Sequence, residues 1–351
     1  MTHREVGSPV ELALKRLAHG NSLDQELAAA AFGQLMRGEA TSAQTAGLLT
    51  GLRVRGETAG EVAGAVSALR EAMIPVPVTD RSNLIDTCGT GGGSVSTFNI
   101  STAAALVAAG AGAVVAKHGN RSYTSKCGSA DVLEALGVEI TVDPADGARL
   151  LKQVGMTFLF APAFHPAMRF VAPVRREIGI PTIMNLIGPL ANPARVTRQV
   201  VGVSDPERGP LVAEVLARLG AEHALVVHGL VGMDEIAPLG VTQMWEVHGA
   251  DVVTWTLEPD EHGLAIGDTG TLAGATPAVN ARRVERLLEE PGADPAGRAA
   301  VVLNAGAALY VAGLVGDVGA GFDRAQEALA AGAAREVLEG LRRYRAVSTS
   351  E

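Results

Sequence analysis

The sequence predicts an α/β protein: a small N-terminal helical domain plus a larger α/β domain with a mostly parallel central sheet. Three observations predict this class. Apolar residues recur at helical spacing between residues 11 and 72, short strand-like runs alternate with helical runs after residue 83, and prolines at positions 75 and 77 separate the two patterns. Strands that alternate with helices favour a parallel sheet, because parallel neighbours need a crossover connection.

Composition limits the possible classes of function. At 351 residues the chain has room for about two domains. Its formal net charge is −9 and it has no basic block, which argues against a nucleic-acid partner. Cys88 and Cys127, the two cysteines, cannot build a disulfide framework or a cysteine-rich zinc site. The first residues lack the apolar core of a secretion signal, so we expect a cytoplasmic protein.

The elements follow in order along the chain. Residues 1–74 form the predicted helical domain, joined by part of residues 170–196, and residues 75–351 form the α/β domain. The predicted strands are residues 84–86, 113–116, 138–142, 158–160, 199–203 and 224–227. The predicted helices of the second domain include residues 97–109, 129–136 and 210–219. The apolar run 299–316 contains Asn304 and three glycines, which favours a buried helix over a membrane span, so no membrane partner is expected.

In open α/β sheets, ligands bind beyond the carboxyl ends of the strands, which directs attention to the loops there. The first loop, residues 86–93, has glycine at positions 89 and 91–93, so its backbone N–H groups can turn toward an anion. The helix entered near Asn99 adds free N–H groups and a partial positive charge. The loop is neither a Walker A motif nor a dinucleotide fingerprint, since Ser94 stands where the fingerprint requires glycine. An ordinary glycine-rich turn is the alternative interpretation.

Two further loops carry charged groups. Residues 117–126 hold three cationic side chains and four hydroxyl groups before a helix that begins near Ser129, a local excess of anion-binding groups in an acidic chain. Asp234 and Glu235 follow a strand and are flanked by glycines, so they can hold a hard cation such as Mg²⁺, although a solvated acidic turn is the alternative.

Arg175 and Arg176 lie in a proline-rich stretch between strands. Either guanidinium could bind a carboxylate with two hydrogen bonds, and a place on the outer face of a helix is the alternative. The chain has no Gly-x-Ser-x-Gly elbow, His-Glu-x-x-His motif or Cys-x-x-Cys pair, which excludes several hydrolytic, metalloprotease and redox chemistries.

Several of these segments together resemble the anthranilate phosphoribosyltransferase family. The matching blocks occur in the family's order and spacing, and they are residues 89–92, 97–102, 117–121, 128–131, 175–179, 185–190 and 234–235. The resemblance extends from the N-terminal helices to about Ala312. It implies a transferase of tryptophan biosynthesis that joins anthranilate to phosphoribosyl pyrophosphate. It also implies a homodimer that associates through its helices.

The same resemblance implies roles for individual residues. The phosphoribosyl pyrophosphate site would comprise Gly89, Gly92, Gly93, Thr97, Asn99, Ile100, Ser101, Thr102, Lys117, His118, Gly119, Asn120, Arg121, Ser122, Tyr123, Thr124, Ser125 and Ser129. Anthranilate would contact Gly89, Asn120 and Arg175. Two Mg²⁺ ions would be held with the help of Ser101, Asp234 and Glu235. No acid–base pair is expected, because the aryl amine of anthranilate is already a neutral nucleophile.

Two positions depart from the family pattern. Gly93 stands where many relatives carry aspartate, and Tyr123 stands where a small residue is more usual. These departures bear on metal or pyrophosphate handling and on the width of the site. Two rival functions are a pyrimidine nucleoside phosphorylase, whose expected Lys and Ser pattern in the phosphate loop is absent here, and a non-catalytic nucleic-acid-binding homologue, which should be basic.

Overall fold

The structure is a computed structural model that describes residues 7–122 and 126–344. The chain opens with four helices: α1 (Pro9–Ala18), α2 (Gln25–Arg37), α3 (Ser42–Arg55) and α4 (Ala59–Ala72). Each begins at a polar residue whose side chain accepts a hydrogen bond from a backbone N–H of the first turn, and these capping residues are Ser8, Asp24, Thr41 and Thr58.

A single sheet organises the rest of the chain. Its seven strands are β1 (Leu84–Gly89), β2 (Val114–Gly119), β3 (Met156–Phe160), β4 (Arg198–Gly202), β5 (His223–Gly229), β6 (Thr242–His248) and β7 (Asp251–Leu257). Their order across the sheet is β3-β2-β1-β4-β5-β6-β7. The first five strands in this order are parallel to one another, and β6 and β7 add an antiparallel edge. The predicted fold class is therefore confirmed.

Helices cover both faces of this sheet. They are α5 (Ile100–Gly110), α6 (Ser129–Ala135), α7 (Pro144–Val154), α8 (Ala161–Phe164), α9 (Ala172–Ile178), α10 (Met184–Ile187), α11 (Gly209–Arg218), α12 (Pro277–Glu289), α13 (Pro295–Val311), α14 (Val318–Ala330) and α15 (Ala333–Arg343). Short 3₁₀ segments span Pro166–Phe170, Pro206–Arg208, Pro259–His262, Thr269–Leu272 and Pro291–Ala293. Among the described residues, no helix is long and apolar enough to cross a membrane.

Two hydrophobic cores lie on the two sides of the sheet. The larger one surrounds α5 and α13, which are buried along most of their length, and the smaller one joins α1–α4 to α11. Buried residues between Ala167 and Ala191 belong to the smaller core, so this later segment packs with the N-terminal helices. The domain boundary at residue 74 stays a prediction, as does the assignment of residues 170–196 to the helical domain.

One predicted strand was wrong, and two strands were missed. Residues 138–142 belong to no strand: Val138, Ile140 and Val142 are buried against the larger core, and the intervening side chains are exposed. The alternation of apolar and polar residues here therefore indicates that one side of an irregular segment is buried. It does not indicate a strand, because residues 138–142 pair with no neighbouring strand. β7 is exposed along most of its length, and β6 is mostly buried but carries polar residues such as Gln243 and Glu246, so neither shows the continuous apolar run of a buried parallel strand.

Candidate active site

The three candidate loops meet at one edge of the sheet. β1 ends at Gly89, β2 at Gly119 and β5 at Gly229, and these strands run parallel with β4 between β1 and β5. The carboxyl ends of parallel strands lie at the same edge, which we call the carboxyl edge. The glycine-rich loop, residues 89–99, follows β1, and the acidic loop, residues 229–237, follows β5. The fold therefore brings the predicted anion cradle and the predicted metal ligands together.

The glycine-rich loop lies directly against Asp234. Gly91 and Gly92 adopt positive φ angles of 68° and 88°, a conformation that favours glycine. A Cβ atom at Gly93 would lie 2.9 Å from the carbonyl oxygen of Gly232 and 3.2 Å from Oδ1 of Asp234. The space next to the acidic loop is thus already filled by backbone. A carboxylate at position 93 would also face the carboxylate of Asp234, which gives a physical reason for the glycine in this chain.

Glu235 is tied to the start of α5. Its carboxylate accepts a hydrogen bond from the hydroxyl of Thr97 at 3.2 Å and from the backbone N–H of Ser101 at 3.1 Å. Burial, together with the negative charge of Asp234, raises the pKa of Glu235 to about 8, and burial also raises the pKa of Asp234. Two adjacent carboxyl groups with raised pKa values and oxygen ligands nearby fit a hard divalent cation, whose charge would favour their ionised forms.

Lys117 lies beneath this pair rather than in the open loop. Its side chain is buried, and Nζ donates to the carbonyl oxygen of Thr87 at 2.5 Å and to the hydroxyl of Ser101 at 3.3 Å. Burial lowers the pKa of the Lys117 ammonium group, an effect that Asp86 and Glu235 oppose. Lys117 therefore joins β1, β2 and the start of α5 at the point where the acidic loop arrives.

A buried polar network supports the edge from below. Asp86 is fully buried and accepts hydrogen bonds from the backbone N–H of His118 at 3.1 Å and from the side-chain amide of Asn192 at 2.8 Å. Asn192 also donates to the carbonyl oxygen of Ala116 at 2.7 Å. Burial raises the pKa of Asp86 to about 6. Asn192 thus fixes the segment before β4 to both β1 and β2, a role that no sequence motif indicated.

Two histidines pack together beside this network. Nε2 of His118 lies 3.2 Å from Nε2 of His165, and both rings are buried. Burial lowers the pKa of His118 to about 3 and that of His165 to about 4. Both imidazoles are therefore neutral at physiological pH, and one donates its proton to the other. His118 is therefore a buried support of the site.

The second loop is held by its own backbone and by α6. The hydroxyl of Ser129 and the backbone N–H of Ala130 both donate to the carbonyl oxygen of Asn120, at 3.3 and 3.2 Å. Arg121 is half-exposed and pairs with Asp131 and Glu134 of α6, at 3.0 and 2.5 Å. Its guanidinium is therefore already paired in this structure.

Several other predicted ligands lie in this part of the edge. A Cβ atom at Gly119 would lie 2.2 Å from the hydroxyl of Ser129, so the approach of this loop to α6 requires glycine. The backbone N–H of Ser122 donates to Asp131 at 3.2 Å. Tyr123, Thr124 and Ser125 lie outside the described residues.

Asn99 links the first two loops. Its amide donates to the carbonyl oxygen of Cys127 at 3.2 Å, and its side-chain oxygen accepts from Asn280 of α12 at 3.0 Å. Asn280 is buried and is a positioning residue that the sequence patterns did not reveal. Ile100 and Thr102 follow Asn99 and are fully buried, so their side chains point into the core rather than toward a ligand.

Asn304 of α13 clamps the acidic loop. Its side-chain oxygen accepts from the N–H of Ile236 at 3.0 Å, and its amide donates to the carbonyl oxygens of Ile236 and Ala300, both at 2.9 Å. Ile236 directly follows Glu235, so these bonds fix the backbone that carries the carboxylate pair. The sequence indicated only that Asn304 interrupts an apolar run.

The arginine pair lies on α9, which packs against α3. Arg175 is half-buried and Arg176 is exposed, so Arg175 is the residue on the packed side of the helix. The difference in burial distinguishes the two candidate arginines, whereas the sequence alone did not. A role of Arg175 toward a substrate stays a prediction.

Comparison with known proteins defines the class to which this fold and site belong. The helical bundle domain of a glycosyl transferase family matches residues 12–73, and the a/b domain of the same family matches residues 81–335. Together these matches cover most of the chain and identify a two-domain glycosyl transferase.

Individual relatives identify the family more narrowly. Anthranilate phosphoribosyltransferase from Laribacter hongkongensis is 47% identical, over 93% of this chain and 95% of its own length, and that from Thermomicrobium roseum is 49% identical, over 94% and 95%. The crystal structure of the Thermus thermophilus enzyme, 44% identical, superposes with a TM-score of 0.88 over 94% of this chain and 98% of its own. The Saccharomyces cerevisiae enzyme in complex with PRPP and Mg, 27% identical, has a TM-score of 0.87 and covers 97% and 98%. The chain belongs to the anthranilate phosphoribosyltransferase family.

Proposed function

We propose that the chain transfers the phosphoribosyl group of phosphoribosyl pyrophosphate to the amine of anthranilate at the carboxyl edge, with release of pyrophosphate. The observation that carries this proposal is the pair of hydrogen bonds that the Glu235 carboxylate accepts. These bonds join the acidic loop to Thr97 and Ser101 at the start of α5. This arrangement puts a cation site beside a glycine-rich anion cradle, and a metal–pyrophosphate complex needs both.

The glycine-rich loop and the start of α5 bind the pyrophosphate in this proposal. The loop itself has no lysine, and Lys117 is buried beneath it, so backbone N–H groups face the anion. Asn99 and the second loop, up to Ser129, complete the phosphoribosyl site. Displacement of pyrophosphate leaves positive charge on the ribose ring, and the fixed positions of donors and substrates supply much of the rate.

Asp234 and Glu235, with Ser101, hold Mg²⁺ in this proposal. Their oxygen ligands, half-buried positions and raised pKa values support a divalent cation there. When bound, Mg²⁺ neutralises charge on the pyrophosphate leaving group. The Saccharomyces cerevisiae relative is in complex with PRPP and Mg, which supports the use of Mg²⁺ by this family. We propose two ions for each chain, a number that the stoichiometry of Mn²⁺ binding would test.

Anthranilate binds opposite the pyrophosphate, between Gly89, Asn120 and Arg175. A half-buried guanidinium is suited to the carboxylate of the substrate, because a charged hydrogen bond strengthens where water is partly excluded. The amine needs no base to become a nucleophile. The residues of the edge therefore bind and orient the substrates, and no acid–base pair is assigned.

Pyrophosphate release tests the function directly. We expect release that requires anthranilate, phosphoribosyl pyrophosphate and Mg²⁺ together and that stops with EDTA. Calorimetry adds the comparison with the phosphorylase alternative: phosphoribosyl pyrophosphate should bind in the presence of Mg²⁺, and phosphate with thymidine or uridine should not. Metal-independent phosphorolysis without a response to phosphoribosyl pyrophosphate would overturn the proposal.

We also propose a homodimer formed through the helical domain. Val54 of α3 is 82% exposed, and Phe170 and Ile180, in the segment that packs with these helices, are exposed apolar residues as well. Light scattering should give twice the chain mass for the wild type and the single chain mass for Val54→Glu. The cytoplasmic location stays a prediction.

A further inference from the structure

A second group of metal-binding side chains lies at the opposite end of the sheet. His223 is the first residue of β5 and pairs directly with His248, the last residue of β6. Glu246 lies two residues before His248, so the pleat places it on the same face. Within residues 7–122 and 126–344, these three form the single group of potential ligands whose atoms all lie within 4.8 Å of one another.

The donor atoms already have the separations that coordination requires. Nε2 of His223 and Nε2 of His248 each lie 2.9 Å from the same oxygen of Glu246, Oε1. A metal at about 2.0–2.1 Å from nitrogen and about 2.0–2.2 Å from oxygen would need N···O separations of roughly 2.9–3.4 Å, for angles of about 90–110°. The separations therefore match a shared ion, and the imidazole rings would turn so that both Nε2 lone pairs point at the ion rather than at Oε1.

Other residues hold the carboxylate from outside the group. The hydroxyl of Tyr310, on α13, donates to Oε1 of Glu246 at 2.7 Å, and the indole N–H of Trp255, on β7, donates to Oε2 at 2.7 Å. The ring of Tyr310 also meets His223 edge-on, with centroids 4.7 Å apart. Such partners orient metal ligands and tune their affinity. His223 is buried and His248 is exposed, so the group is open to solvent on the side of His248.

We propose that His223, Glu246 and His248 form a binding site for one divalent transition-metal ion of the zinc type. Two imidazoles and one carboxylate favour Zn²⁺ over Mg²⁺, which prefers oxygen ligands. On binding, each neutral imidazole carries its proton on Nδ1 in place of Nε2, and the metal replaces the two N–H bonds to Oε1. Because those two bonds are lost, we expect micromolar rather than nanomolar affinity.

This site is separate from the proposed reaction. The acidic loop follows the last residue of β5, whereas His223 is its first residue, and at about 3.3 Å per residue the ends of this strand lie about 20 Å apart. The ion would join β5, β6 and, through Tyr310, α13. It would stabilise the fold without taking part in phosphoribosyl transfer.

Calorimetric titration with Zn²⁺ tests the proposal on the intact protein. With excess Mg²⁺ present to occupy the oxygen ligands of the carboxyl edge, we expect one equivalent of Zn²⁺ per chain. His248→Ala should weaken binding by at least about tenfold, since one of three ligands is lost, and Tyr310→Phe by about tenfold through the carboxylate alone. Electron paramagnetic resonance of bound Cu²⁺ should show coupling to two imidazole nitrogens.

Matched controls separate this site from other histidines and from the active site. His19→Ala removes an exposed histidine of the helical domain and should leave Zn²⁺ affinity unchanged. Asp234→Asn combined with Glu235→Gln should also retain the Zn²⁺ site, even though turnover is lost. The proposal is wrong if the wild type binds no Zn²⁺ under these conditions, or if His248→Ala binds as tightly as His19→Ala does.

Discussion

Glu235 and Glu246 lie at opposite ends of one sheet, and the protein shifts their pKa values in opposite directions. Glu246 accepts hydrogen bonds from His223, His248, Trp255 and Tyr310, and although burial opposes ionisation, these bonds lower its pKa to about 2. Glu235 accepts two hydrogen bonds and faces Asp234, and its pKa is raised to about 8. The protein therefore stabilises the ionised form of Glu246, whereas it gives the ionised form of Glu235 too little compensating positive charge.

This contrast indicates what each end of the sheet does. A carboxyl group that the fold leaves under-compensated costs stability, so its presence suggests a cationic ligand that corrects it. Glu246 needs no such correction, and an ion there would replace the two N–H bonds from His223 and His248 rather than fill a deficit of charge. We therefore expect substitutions at the carboxyl edge to change the reaction and substitutions at the opposite end to change stability.

The largest expected effect is the loss of turnover in Asp234→Asn combined with Glu235→Gln. Removing the oxygen ligands should reduce turnover at least about 1,000-fold, equivalent to about 4 kcal/mol of transition-state stabilisation. Pyrophosphate release across a Mg²⁺ titration measures this, with circular dichroism as the control for folding. Near wild-type turnover with an unchanged Mg²⁺ requirement would contradict the metal assignment.

The matched substitution at the other end is Glu246→Gln. It should leave turnover within about twofold and lower the Tm, because a buried amide cannot replace the charged acceptor of four hydrogen bonds. If this variant loses turnover while remaining folded, the two ends of the sheet are coupled and the contrast between them fails.

Arg175→Ala should raise the KM for anthranilate about tenfold or more and change the KM for phosphoribosyl pyrophosphate much less. A charged hydrogen bond contributes about 1.5–3 kcal/mol, and each factor of ten corresponds to about 1.4 kcal/mol. Steady-state kinetics with Arg176→Ala as the control decides the assignment, because Arg176 is the exposed neighbour on the same helix. Equal changes in both constants would instead give Arg175 a general role in positioning the fold.

Asn304→Leu should raise the Mg²⁺ concentration for half-maximal turnover by roughly five- to tenfold. The substitution keeps the branching of the side chain at Cγ, although Leu is larger, and it removes both bonds to Ile236, at about 1 kcal/mol each. Mn²⁺ affinity, measured by equilibrium dialysis, should weaken in parallel. The control is Leu338→Ala in the core of α15, which should lower the Tm without moving the metal dependence; a similar shift in both variants would show general destabilisation.

The smallest expected effect concerns pH and distinguishes two histidine pairs. Burial lowers the pKa values of His118 and His165, so below pH 6.5 the unfolded chain binds protons that the folded chain does not bind. Stability is then present at neutral pH and is lost as the pH falls from about 6.5 toward 4, by up to about 1.4 kcal/mol per pH unit for each histidine.

His165→Gln should therefore remove about half of the contribution that these two histidines make to the pH dependence of stability. Urea midpoints measured between neutral pH and the acid limit test this, with His19→Ala as the exposed control. An unchanged slope in His165→Gln would mean that His165 titrates in the folded protein.

The sequence predicted the local pattern well and the long-range partners poorly. β1, β4 and β5 were recognisable because they are buried on both faces and end in polar or glycine-rich loops, and topology then brought those loops together. Asn192, Asn280 and Asn304 were not recognisable, because each acts on a chain segment far away in sequence and belongs to no motif. Residues 138–142 gave the opposite error, a predicted strand that the structure does not contain. Alternation of apolar and polar residues shows that one face is buried, but it does not show that a neighbouring strand is present.

Gly202, at the end of β4, has a consequence for how this chain can change by mutation. A Cβ atom there would lie 1.7 Å from the carbonyl oxygen of Asp234, so even a methyl group would displace the acidic loop. Gly202 binds no substrate in our proposal. In a library of single substitutions selected for growth without supplied tryptophan, variants at position 202 should nevertheless disappear as completely as variants at position 234. Intolerance to mutation would thus be as strong at Gly202, which only leaves space for the acidic loop, as at Asp234, which is a proposed metal ligand.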